Sequence, residues 1–210
     1  DGTQSEKTPL KPNSPYAVAK LFALEISRIY RESYGMYISN GILFNHEGTR
    51  RGEEFVTRKI TKAVANIKMA MDQGKEFRPL RLGNVEARRD WSDSEDFMDG
   101  VWLMLNQATP KEYILSSNET HTVKEFVSLA FQEAGISGLW SGEGLDEKFR
   151  SRQENKILAE VDTEFYRPAE VVILHGDSNP IREELGWNPK ISFQDLVKRM
   201  VNNDLEIAKK

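Results

Sequence analysis

Tyr16 and Lys20 stand four residues apart in SPYAVAK, residues 14–20, and side chains at i and i+4 share one face of a helix. An ammonium beside a phenol stabilises the phenolate by Coulomb attraction. It thereby lowers the cost of using a tyrosine, whose reference pKa is about 10, as an acid or base. A Tyr with a Lys four residues on also arises by chance in a chain of this composition, so the pair needs support from other segments.

Three further stretches offer charge at loop positions. NHEGTRRG, residues 45–52, sets Asn45 and His46 at the end of a strand-like run and Arg50 and Arg51 in a glycine-flanked loop. Ligands of α/β folds gather beyond the carboxyl ends of parallel strands, and arginine forks suit phosphate. The plainer reading is a solvated basic turn with an ordinary histidine. RRDW (88–91) leaves a similar choice, because Arg89 can serve a ligand or pair with Asp90 or Asp93 as a structural salt bridge. FYRPAE (165–170) joins Arg167, a proline and Glu170 in one loop, suited either to a base edge and ribose hydroxyls or to bracing the fold. A phosphorylated ligand would use all of these together.

The elements that must position these residues alternate. Ser14 as N-cap and Pro15 in the first turn predict a helix over 15–34, with Ala17, Leu21, Phe22, Leu24, Ile26 and Ile29 on its apolar side and Gly35 stopping it. The β-branched and aromatic run 36–44 predicts a buried strand, and the residues from 45 onward a loop. A helix is expected over about 54–72 with Phe55, Ile60, Val64, Ile67 and Met71 on one face, then a short strand in FRPLRLGN. SDSEDFMDGVWLML reads as a helix capped by Ser92 or Ser94, 112–117 as a strand, and THTVKEFVSLAFQEAG as a helix opened by a Thr122/Glu125 capping box. Short strands near 138–141 and 156–162 flank a loop rich in glycine and charge. A helix over about 178–185 ends at Gly186, and a last helix starts near 193. The alternation points to a layered α/β fold, yet no GxGxxG loop follows a strand. Residues 1–13 read as a polar loop, and the first helix lacks an obvious packing partner.

With 39% hydrophobic and 30% charged residues the 210-residue chain has the composition of a folded globular protein. A net charge of −4 leaves no positive excess for a nucleic-acid backbone. The chain has no cysteine, hence no disulfide or thiolate chemistry, and its three histidines lack metal-ligand spacing. Without a membrane-length apolar run or an export leader, a cytoplasmic protein is expected.

Taken together, SPYAVAK, RESYGMY, NGILFNHE, RRGEEFVTRKI, LGNVEARRDW, the helix ending WLML, YRPAEV and LGWNPKISFQDLVKRMVNNDLE resemble the GDP-mannose 4,6-dehydratases, a family within the extended short-chain dehydrogenase/reductase group. The motifs fall in the family's order over nearly the whole chain. The resemblance implies the C-terminal part of a Rossmann-like doubly wound sheet plus a smaller α/β nucleotide-sugar-binding domain. Residues 1–50 would belong to the dinucleotide-binding part and 51–210 mainly to the sugar-nucleotide part, with about 93–117 returning to the former. Tyr16 is then the catalytic tyrosine and Lys20 the lysine holding the nicotinamide ribose of NADP, with His46 and Arg51 as further cofactor contacts. Asn45, Lys59, Asn84, Arg89, Arg167 and Glu170 fall in the motifs that hold GDP-mannose, Arg89 against the diphosphate. The family oxidises the sugar at C4, eliminates water across C5 and C6, and returns the hydride to C6, as a tetramer or dimer.

Departures accompany the match. The family's first hundred-odd residues, with the glycine-rich loop and the catalytic Thr and Glu upstream of the tyrosine, have no counterpart in this sequence, so the isolated chain is expected to be inactive. HEGTRRG replaces the commoner HESPRRG, FRPLRLGN is longer and more basic than usual, and 141–156 matches no family motif. A GDP-sugar epimerase or reductase, and a noncatalytic GDP-sugar-binding or assembly remnant, are the alternatives.

Overall fold

A computed structural model of the chain describes residues 2–166 and 173–210. In chain order it contains α1 (Pro15–Tyr34), β1 (Asn40–Leu43), β2 (Asn45–Glu47), α2 (Val56–Asp72), β3 (Leu80–Leu82), β4 (Arg88–Arg89), β5 (Trp91–Asp93) and α3 (Ser94–Leu105). There follow β6 (Glu112–Leu115), β7 (His121–Thr122), α4 (Val123–Glu133), β8 (Gly138–Ser141), β9 (Lys148–Ser151), β10 (Ile157–Val161), β11 (Ile173–Leu174), α5 (Asn179–Leu185) and α6 (Phe193–Ala208). The fold is α/β, with parallel pairs β1–β6 and β2–β5 and two mixed sheets ordered β3-β10-β9-β8 and β11-β4-β7. No helix is long and apolar enough to cross a membrane among the described residues.

Apolar spacing explains two cores. Ile60, Val64 and Ile67 repeat at i, i+4 and i+7 along α2 and meet Phe126, Val127, Ala130 and Phe131 of α4 and Leu196, Val197, Met200 and Val201 of α6. This helical layer covers Leu80, Leu82, Leu158 and Phe149 of the mixed sheet. A second cluster gathers Phe97 and Met104 of α3, Tyr113 and Leu115 of β6, Ile181 of α5 and Trp187, with Leu43 of β1 packed against it. Trp187 Nε1 donates to the Asp96 carbonyl at 2.8 Å, and the Asp96 carboxylate accepts from the backbone of Lys190 and Ile191. One buried acid thus fixes the chain between α5 and α6 to the start of α3.

Several expectations change in detail. The strand expected over 36–44 is shorter and none of its residues is fully buried, because β1 hydrogen-bonds β6 alone among the described residues. Residues 45–47 are a strand of their own, drawn out of the expected loop by parallel pairing with β5. The cap of α3 is Asp93, whose carboxylate accepts from Glu95 N at 2.8 Å, in place of Ser92 or Ser94. Phe55 lies at the edge of α2 and is exposed, so it does not join the face it was expected to share. The charged stretch beyond Ser141 holds a 3-10 turn, Gly144–Asp146, and β9. There Phe149 and Ser151 alternate inward between Lys148 and Arg150, a pattern hidden by two cations in four residues. The helix 15–34 forms as expected, with Ser14 accepting from Ala17 N at 3.1 Å and Gly35 closing it at φ +64°, yet none of its residues is buried.

Candidate active site and sugar-nucleotide site

Pro15 presets the first turn of α1 and Ser14 satisfies one of its free N–H groups, so Tyr16 leaves the helix in its first turn with Lys20 one turn on. The Lys20 ammonium lies 5.5 Å from the Tyr16 ring centre, and the tyrosine is 72% exposed. A groove of about 760 Å³ runs between α1 and β1, lined by Tyr16, Lys20, Leu21, Asn40, Ile42 and His46 among others. His46 is shared with a second cavity. Its Nδ1 lies 3.0 Å from the Phe44 carbonyl, which can only accept, so Nδ1 carries the proton and the ring orientation is set by the backbone.

His46 also lines a second, smaller cavity of about 190 Å³ beyond the carboxyl ends of the parallel strands β2 and β5, with Glu47, Arg50, Arg51, Asp93, Glu95 and Arg199. Glu47 is 2% exposed, accepts from Thr57 Oγ1 at 2.6 Å and lies 3.0 Å from Arg51 Nε, an ion pair without hydrogen-bond geometry. Burial pushes the Glu47 carboxyl up from its ordinary value, against the opposing effects of Thr57 and Arg51. The Arg51 guanidinium stacks 3.5 Å from the centre of the Phe55 ring. Arg51 is thus braced on two sides, while its neighbour Arg50 is exposed on the same cavity. Arg199 from α6 crosses to Asp93 at 2.9 Å and Glu95 at 2.8 Å, tying the last helix to this wall.

The remaining candidates sit on other elements. Asn45 opens β2 opposite Trp91. Lys59, on α2, holds its ammonium 3.5 Å from the centre of the Phe165 ring, and burial followed by the nearby Arg81 charge lowers its pKa. Asn84 follows β3, and its side-chain oxygen accepts from Glu86 N at 3.0 Å, closing its own turn. Arg89 lies on β4 between β11 and β7, and donates to the Arg88 carbonyl at 2.8 Å. Of the two acids beside it, Asp90 accepts from Ser117 and Asn118, and Asp93 holds Arg199. Arg167 and Glu170 lie outside the described residues. The fold therefore brings Tyr16, Lys20 and His46 to one groove and His46 with Arg51 to the adjoining cavity. Sequence reasoning gave no separate role to Arg50, Arg199 or Phe165. The RR doublet signals the first, but an arginine within the amphipathic α6 and an aromatic before YRP carry no local motif. No group of three or more acidic, His or Cys side chains suited to a metal exists among the described residues.

Comparison with known proteins places this layout in a family. The family model described as GDP-mannose 4,6 dehydratase matches residues 1–200. The GDP-mannose 4,6 dehydratase of Dictyostelium discoideum is 46% identical over 206 residues, 98% of this chain and 56% of that protein. The human protein of that name is 40% identical over 206 residues, 98% of this chain and 54% of that protein. The chain thus spans about half the length of the curated relatives it matches. Among solved structures, RMD from Pseudomonas aeruginosa complexed with NADPH superposes with a TM-score of 0.78 at 18% identity, over 97% of this chain and 60% of that one. DesIV, a dTDP-glucose 4,6-dehydratase from Streptomyces venezuelae with NAD and TYD bound, gives 0.75 at 22% identity, over 98% and 55%. At such identities these likenesses establish the fold alone. With a family model covering residues 1–200, the chain belongs to the GDP-mannose 4,6-dehydratase family.

Proposed function

We propose that this chain carries the catalytic tyrosine helix and the sugar-nucleotide site of an enzyme converting GDP-mannose to GDP-4-keto-6-deoxy-mannose. The observation that carries the reading is the convergence of Tyr16, Lys20 and His46 on one groove at the edge of a parallel strand pair. These residues fit the reactive end of a nicotinamide dinucleotide: a cation beside a phenol, next to a cavity lined by Arg50 and Arg51 for anionic groups. NADP bound there supplies a reversible hydride acceptor, used at C4 and restored at C6.

Tyr16, held as the phenolate by the Lys20 ammonium, takes the proton of the C4 hydroxyl and becomes the neutral phenol. The ketone formed at C4 acidifies the C5 proton, so water can leave across C5 and C6. Asn45, Lys59, Asn84, Arg89, Arg167 and Glu170 hold GDP-mannose, and His46 and Arg51 contact the cofactor. The division into a dinucleotide part and a sugar-nucleotide part is supported by the two separate apolar clusters. A homo-oligomer working in the cytoplasm completes the reading.

The complete enzyme should convert GDP-mannose with NADP in catalytic amount and no added reductant. Stoichiometric consumption of NADPH would instead mark a reductase. Arg89→Ala should weaken GDP affinity by about 1.5–3 kcal/mol, the scale of a hydrogen bond to a charged group. Calorimetric titration with GDP checks this, and unchanged affinity would leave Arg89 a purely structural role.

A further inference from the structure

The basic segment FRPLRLGN leads into β3, and two of its residues act on a distant turn. Asp162 N donates to the Leu82 carbonyl at 2.8 Å, so the chain leaving β10 is laid against the end of β3. The turn that follows closes on itself, with Glu164 N donating to the Asp162 carboxylate at 2.8 Å and Phe165 N to the Asp162 carbonyl at 3.1 Å. Arg81 reaches over it, pairing with Asp162 and, at 3.0 Å, with Glu164. Gly83 lies beneath: a Cβ there would fall 2.2 Å from the Phe165 carbonyl oxygen and 2.9 Å from its carbon. Both are backbone atoms, so no side-chain rotation could relieve the clash. The turn ends on Phe165, whose ring lies 3.5 Å from the Lys59 ammonium.

We propose that Arg81 and Gly83 are positioning residues for Lys59. Together they lay the 162–165 turn against the end of β3, so that Phe165 forms the aromatic seat holding the Lys59 ammonium for the diphosphate of a nucleoside diphosphate. A lysine is a flexible point charge, and fixing it on a ring face lowers the ordering cost at the moment of binding. The inference rests on the reading of this region as a sugar-nucleotide site. It makes the latch as necessary to affinity as the lysine itself.

The test is GDP titration of the 210-residue chain and of Arg81→Ala, Arg81→Lys, Lys59→Ala and the Arg81→Ala/Lys59→Ala double variant, with thermal unfolding in parallel. Arg81→Ala should bind GDP about five- to tenfold more weakly with an almost unchanged Tm, since exposed ion pairs contribute little to stability. Arg81→Lys should fall between, because it keeps the charge and loses the fork. In the Lys59→Ala background the Arg81 change should have no further effect, the signature of action through the lysine. Gly83→Ala should lose about tenfold or more, and if it fails to fold the Arg81 series decides. Unchanged affinity in Arg81→Ala, losses that add in the double variant, or a loss that tracks a fall in Tm would each overturn the proposal. A parent chain that ignores GDP would instead overturn the sugar-nucleotide reading, and the latch with it.

Discussion

Replacing Tyr16 with Phe should lower turnover of GDP-mannose in the complete enzyme by roughly 10² to 10⁴, the contribution of a positioned acid or base. The change keeps the ring that lies 5.5 Å from the Lys20 ammonium and deletes only the hydroxyl. Because no residue of α1 is buried and Tyr16 is 72% exposed, the substitution removes no packing. Affinity for GDP-mannose should therefore persist while kcat falls, the pattern of an interaction made in the transition state. Steady-state kinetics with a fixed concentration of NADP separates the two effects. Turnover near that of the parent would remove Tyr16 from the mechanism.

The largest effect on stability should come from Asp204→Ala. Asp204 is 3% exposed on α6 and receives Arg58 Nη2 at 2.8 Å, Arg58 Nε at 3.0 Å and Thr61 Oγ1 at 2.6 Å, all from α2. Arg58 also donates to the carbonyls of Thr49 at 2.6 Å and Arg51 at 3.2 Å, so the same pair joins two long helices of the larger core to the loop beside the small cavity. Removing the carboxylate strands a guanidinium that is 11% exposed, and breaking a buried pair in this way costs about 3–5 kcal/mol. Urea unfolding of the chain measures it. Replacing both partners with apolar residues, Arg58→Met with Asp204→Leu, should recover much of the loss, since the desolvation cost leaves with the charges. A loss below about 1 kcal/mol for Asp204→Ala would show that water reaches the pair.

Much of this was legible in local sequence. Ser14, Pro15 and Gly35 bound α1 as caps and stops should, and Thr122 with Glu125 forms the expected box at α4. Periodicity placed Ile60, Val64 and Ile67 inward, because a three-helix layer rewards one apolar stripe. What escaped depends on partners distant in sequence. β2 exists because β5 lies beside it, and β9 because Phe149 packs between Phe131 and Trp140. The same limit holds at the site. SPYAVAK announced a tyrosine and a lysine on one helix, but only the fold sets His46 in the lining of both their groove and the Arg51 cavity. Nor could spacing show that Arg51 would be braced by Glu47 and Phe55, or that Lys59 would rest on Phe165 from the turn after β10, more than a hundred positions along the chain.

The most direct test of the central claim is to follow a deuterium label placed at C4 of GDP-mannose through one turnover of the complete enzyme, with NADP in catalytic amount. The account predicts that the label appears at C6 of a 4-keto-6-deoxy product, with no net change in NADPH. Product lacking the label at C6, or product formed only as added NADPH is consumed, would contradict it.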